Sequence, residues 1–151
     1  MASRISVRNE HRSCRLDERL VERIAGHILR ILGEEAALEF LFTDRRAIRA
    51  MNRRFKDCDR PTDVLSFRLD CGSAGCIGHI AISLDAARMN SRRFGTAPGD
   101  EVIRYVIHGI LHFLGYRDSN AAGRVRMNRK ETEILQILCM KEHLSKVLTR
   151  R

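Results

Sequence analysis

With 151 residues, 44% of them hydrophobic and 31% charged, the chain can build one sizeable core and is too apolar to be disordered. No apolar run approaches a membrane span and no apolar signal segment follows Met1, so neither a membrane partner nor secretion is expected and the cytoplasm is the expected location. The formal net charge of +9 points to a polyanionic partner, nucleic acid before an anionic surface, while the absence of Trp and an aromatic content of 5% argue against a stacking platform for bases.

Arg4 to Val7 alternates as a short first strand. Asp17 has the chemistry of an N-cap, and Leu20, Val21, Ile24, Ile28, Ile31 and Leu32 follow at helical spacing until Gly33. Ala37 to Thr43 reads as a strand with Leu38, Phe40 and Phe42 on one face. Thr43 or Asp44 can cap a second helix whose inner side is marked by Ile48, Met51, Asn52 and Phe55. Its outer side carries Arg45, Arg46, Arg49, Arg53, Arg54 and Lys56.

Cys58 to Asp63, with Pro61, is a polar loop. Val64 to Leu69 and Ile77 to Ser83 read as strands, and the short link between them suggests a hairpin. Ser83 can cap a helix to about Phe94, and Gly95 to Gly99 breaks the chain again. A helix from about Asp100 to Leu114 is apolar around nearly its whole circumference, which marks it as buried. A last helix, roughly Arg124 to Leu148, is expected to gather Ile134, Ile137, Leu138, Leu144 and Leu148 on one side. The five cysteines are scattered. Cys71 and Cys76 could close a small metal or redox loop, although the odd number and the lack of a Cys-x-x-Cys pair favour free thiols in a reducing compartment. The expected architecture is a single α+β domain over residues 1–151, with one mixed sheet of about four strands, packed helices and a buried central helix.

That central helix carries His108 and His112, one turn apart on one face. Gly115 can stop the helix in a left-handed conformation, so that Asp118 can swing back as a third ligand. Three ligands with an open fourth position are the arrangement of a catalytic zinc site. The spacing is that of the zinc helix of metzincins, zincin-like metallopeptidases whose third ligand is usually His and whose general base is a Glu directly after the first His. Here that residue is Gly109, which leaves peptide hydrolysis without its base. Glycine would instead open space beside the metal and suit a phosphodiester.

The stretch His-Gly-Ile-Leu-His-Phe-Leu-Gly-Tyr-Arg-Asp from His108 to Asp118 resembles the signature of the bacterial YbeY family, His-Gly-x-Leu-His-Leu-x-Gly-Tyr-Asp-His. The block from Met51 to Phe67 is similar to that family's Leu-Asn-x-x-Tyr-Arg-x-x-Asp-Lys-Pro-Thr-Asp-Val-Leu-Ser-Phe, and Gly78-His79-Ile80 to its Gly-Asp-Ile. The resemblance implies a zinc-dependent, single-strand-specific endoribonuclease that matures the 3′ end of 16S rRNA and serves late quality control of the small ribosomal subunit. It also implies His108, His112 and Asp118 as ligands of one Zn²⁺. Lys56 would stabilise charge on the phosphate, Asn52, Asp63 and Ser66 would neighbour the site, and Arg45, Arg46, Arg49, Arg53 and Arg54 would guide the RNA.

Four departures stand out: Asp118 for the third His, Lys56 for an Arg, Phe55 for Tyr and His79 for Asp. Oxygen ligation by Asp is ordinary for zinc, whereas Lys keeps a charge but loses the bidentate fork of Arg. The same donors also suit nickel, iron or manganese. The rival class of function is an rRNA-binding assembly factor whose metal is structural or vestigial.

Overall fold

The computed structural model describes residues 2–72 and 75–150, with the side chains of Cys71 and Cys76 outside the described part. The elements are β1 (Arg4–Asn9), β2 (Cys14–Leu16), α1 (Glu18–Leu32), β3 (Ala37–Thr43), α2 (Arg45–Lys56), β4 (Val64–Gly72), β5 (Gly75–Ser83), α3 (Leu84–Phe94), α4 (Pro98–Phe113) and α5 (Ala121–Cys139), then a 3₁₀ turn (Leu144–Val147) and β6 (Leu148–Arg150). Four strands form a mixed sheet in the order β1-β3-β5-β4. Its first two pairings are parallel, and β4 and β5 close it as the antiparallel hairpin that their short link suggested.

Alternation along the strands gives the sheet two unlike faces. Leu38, Phe40 and Phe42 of β3 and Ile80 and Ile82 of β5 enter the main core, where α1 contributes Val21, Ile24 and Ile28. Helix α4 lies in the middle of that core, packed against α1, α3, α5, β4 and β5. Its Val102, Ile103, Val106, Ile107, Ile110 and Leu111 are all fully buried. The opposite face is covered only in part, by α2, through a small cluster of Ile48, Leu65 and Ala81.

Helix ends follow local chemistry. Asp17, Asp44 and Ser83 accept backbone N–H groups at the starts of α1, α2 and α3. The Asp17 carboxylate accepts from the Leu20 N–H at 3.1 Å. Asp17→Ala is expected to cost about 1 kcal/mol of stability, read as a fall in Tm of about 2–4 °C for a chain of this size. An unchanged melting curve would show that this cap contributes nothing.

Several details differ from the sequence expectation. Helix α4 starts two residues earlier, with Pro98 in its first turn, where the missing N–H is no loss. Helix α5 ends at Cys139 instead of near Leu148. Leu138 and Leu144 are six apart, which is no helical repeat. Leu144 belongs to the 3₁₀ turn, and Leu148 to β6, which pairs antiparallel with β2 in a separate two-stranded sheet. Phe55, assigned to the inner side of α2, is 47% exposed. No helix among the described residues is long and apolar enough to cross a membrane.

Candidate metal centre

The exit of α4 shapes the site. Gly115 has φ +102°, a region that other residues rarely enter. The Gly115 N–H donates to the His112 carbonyl and the Tyr116 N–H to the Leu111 carbonyl, a Schellman-type ending. The chain thereby reverses and returns Asp118 to the face that carries His108 and His112. Asp118 Oδ2 lies 3.3 Å from His112 Nε2 and 3.9 Å from His108 Nε2. One donor atom from each of the three residues lies within 4.8 Å of the others. Donors around one tetrahedral ion with bonds of about 2.1 Å sit about 3.4 Å apart, so the set fits a single metal.

Glu131 is the residue that the sequence reading missed. It comes from α5, is buried, and its Oε1 lies 2.5 Å from His108 Nδ1. A carboxylate only accepts, so Nδ1 carries the proton and donates it, which leaves the Nε2 lone pair for the ion. Burial pushes the His108 pKa down, but the hydrogen bond that His108 donates to Glu131 and the negative charges of Glu131, Asp118 and Asp63 outweigh it and the net shift is upward. That makes His108 a more basic and better oriented ligand. The signal was present in the sequence: Met127, Glu131, Ile134 and Leu138 share the buried stripe of α5, and an acid in an apolar stripe needs a partner. Glu131→Gln is expected to weaken metal binding by about 10- to 100-fold, measured by titration against a chromogenic chelator. Unaltered affinity would show that Glu131 does not orient the ligand.

Gly109 does not open space beside the ion. A Cβ there would meet Ile80 Cγ2 at 2.6 Å and Val64 Cγ1 at 3.3 Å, so this position faces the sheet and sets the close approach of α4. One residue along a helix rotates the direction by about 100°, which turns position 109 away from the histidines.

Of the residues expected around the site, Ser66 is brought against the metal-bearing helix. Its hydroxyl donates to the Gly109 carbonyl at 3.1 Å, and it lines, with His112, a cleft of about 260 Å³. Arg68 and Arg117 line the same cleft, and the Arg68 guanidinium donates to the Phe113 carbonyl. Asp63 sits at the mouth of β4 and its backbone carbonyl accepts from the Ser83 N–H. Asn52 is buried and its side chain donates to the Arg60 carbonyl, so it pins the loop before β4. Lys56 is exposed at the end of α2 and is not among the residues lining the cleft. Arg45, Arg46, Arg49, Arg53 and Arg54 are exposed along α2, with Arg49 paired to Asp59 at 2.9 Å.

Comparison with known proteins follows the same residues. A family profile described as Endoribonuclease YbeY matches residues 6–139. The chain belongs to the YbeY family. An endoribonuclease YbeY from Salinibacter ruber is 34% identical over 87% of this chain and 89% of its own. One from Syntrophus aciditrophicus is 32% identical over 91% of each. One from Anaeromyxobacter sp. is 41% identical over 77% of this chain, a match that spans 62% of that relative's length. Among solved structures, a protein from Thermotoga maritima determined in solution superposes with a TM-score of 0.61 at 25% identity, over 87% of both chains. The matched span includes the positions of His108, His112, Asp118 and Glu131.

Proposed function

We propose that this protein is a zinc-dependent, single-strand-specific endoribonuclease of the cytoplasm. Its substrate would be 16S rRNA in the small ribosomal subunit, in 3′-end maturation and late quality control. The observation that carries the reading is the convergence of two imidazole nitrogens and one carboxylate oxygen beside a cleft lined by arginines. Its support is the family's shared name as an endoribonuclease and the net charge of +9.

His108, His112 and Asp118 would hold the ion, with Glu131 fixing the His108 ring. A divalent metal held there supplies a Lewis acid for a phosphoryl oxygen and lowers the pKa of water. Arg68 and Arg117 line the wall beside His112 and can hold the negative phosphate against it. Lys56 and the α2 arginines lie farther out, where they steer the RNA backbone and offset charge. No carboxylate occupies the position of a peptidase base, and Gly109 leaves no room for one.

The exposed position of Lys56 favours one rival, an rRNA-binding assembly factor that does not hydrolyse. The deciding experiment measures metal content of the purified protein and single-turnover cleavage of a labelled single-stranded RNA, before and after chelation and metal return. Cleavage is expected to vanish on chelation and return with the ion. Lys56→Ala is expected to slow it by roughly tenfold, less than the 10²–10³ of a well-placed donor in a dry site. Salt-sensitive RNA binding with no metal-dependent cleavage would establish the rival instead.

A further inference from the structure

Across the face of the sheet away from the main core runs one row of side chains, Ser6, Glu39, His79 and Phe67, set side by side by strand register. The rings of Phe67 and His79 are 5.8 Å apart and within 5° of parallel. Phe55 of α2 extends the row, 5.2 Å from Phe67 and 22° from parallel. The low aromatic content argued against a stacking platform. The fold nevertheless gathers two phenylalanines and a histidine into one, and Phe55 remains 47% exposed. The Arg54 guanidinium stands 5.3 Å from the centre of the Phe55 ring.

Beyond His79 the row opens into a cavity of about 360 Å³, with Arg8, Glu39, Met51, Phe67 and His79 in its lining. Glu39 lies 3.3 Å from His79 Nδ1, and His79 Nε2 is buried with no hydrogen-bond partner among the described residues. A carboxylate in such a place repels phosphate but accepts N–H groups from a base edge, as Glu does from the amino group of cytosine. The cavity and the metal centre lie on opposite faces of the sheet, with the edge strand β4 between them: Phe67 lines the cavity, and its neighbours Ser66 and Arg68 line the cleft that contains His112.

We propose that this cavity takes one unpaired, amino-bearing nucleobase of the RNA strand, stacked on the Phe67–His79 row and read by Glu39. The inference rests on the endoribonuclease reading above and adds to it a site of base selection. Arg8 at the cavity and Arg54 at the far end of the row place cations where the flanking phosphates would run. Stacking accepts any base, so the preference must come from Glu39.

The test uses the metal-loaded full chain and labelled 2′-O-methyl oligonucleotides, in three versions: cytidine, uridine and abasic. Fluorescence anisotropy is expected to show the cytidine strand bound about tenfold or more tightly than the abasic one. Phe67→Leu and Phe55→Leu are expected to shrink that gap several-fold with the salt dependence unchanged. Glu39→Gln is expected to remove the preference for cytidine over uridine. Phe55 is exposed, so its variant keeps the test valid even where Phe67→Leu melts early. Equal affinity for base-bearing and abasic strands, with RNA still cleaved, overturns the base site alone. Failure of the wild-type protein to bind or cleave any RNA overturns both readings.

Discussion

His112→Ala is expected to lower the affinity for a divalent ion by more than about 100-fold while leaving the fold intact. Removing a group that only orients a ligand costs about 10- to 100-fold, and His112 is proposed as a ligand itself. Its Nε2 is the donor nearest to Asp118 Oδ2, at 3.3 Å. The His112 side chain is 30% exposed, so truncating it opens no cavity in the core. Asp118→Ala is expected to cost less, because Asp118 is 45% exposed and a water oxygen can take its place. Asp118→His is expected to retain stoichiometric metal, since the Schellman-type turn and not the side chain brings position 118 back. Elemental content after gel filtration, with circular dichroism as a check on folding, decides these outcomes. Stoichiometric metal on a folded His112→Ala protein would remove His112 from the site.

How much of this was legible beforehand depended on distance along the chain. Asp17, Asp44 and Ser83 cap the helices they precede because a cap is decided by three or four neighbouring residues. The His108–Asp118 arrangement was legible for the same reason: one helical turn and one glycine-stopped end contain it. Glu131 lies 23 residues beyond His108 on a different helix. Its periodic position could be read in the sequence, but its partner could not, because nothing local says which helix its stripe meets. The α5 boundary was misjudged on similar grounds. Leu144 and Leu148 are buried, as apolar periodicity demanded, but by a turn and a strand that depend on pairing with Cys14–Leu16. Register likewise assembled the Phe55–Phe67–His79 row from three separate elements, a juxtaposition that composition does not show. Lys56 shows the opposite case, a residue matched by motif whose side chain the fold leaves in solvent outside the cleft.

Gly109→Ala is expected to destabilise the protein by about 2 kcal/mol, even though alanine is the better helix former. The gain in helix propensity is at most about 1 kcal/mol. Against it stands a Cβ 2.6 Å from Ile80 Cγ2, where one side chain or the helix must shift, and such overpacking costs about 1–3 kcal/mol or somewhat more. Ile80 is 1% exposed and belongs to a strand bonded on both sides, so it cannot retreat. The Gly109 carbonyl is also tied to Ser66, which fixes the height of α4 above β4. Lifting α4 would move His108 away from Glu131, so the same substitution is expected to weaken metal binding as well. At about 2–4 °C for each kcal/mol, thermal melting should fall by about 4–8 °C. Glu at this position, the peptidase base, would place a charge between Ile80 and Val64 and is expected not to fold. A Gly109→Ala protein that melts with the wild type and holds its metal equally well would mean that α4 does not need this contact. The glycine would then have to be explained from the substrate side of the helix after all.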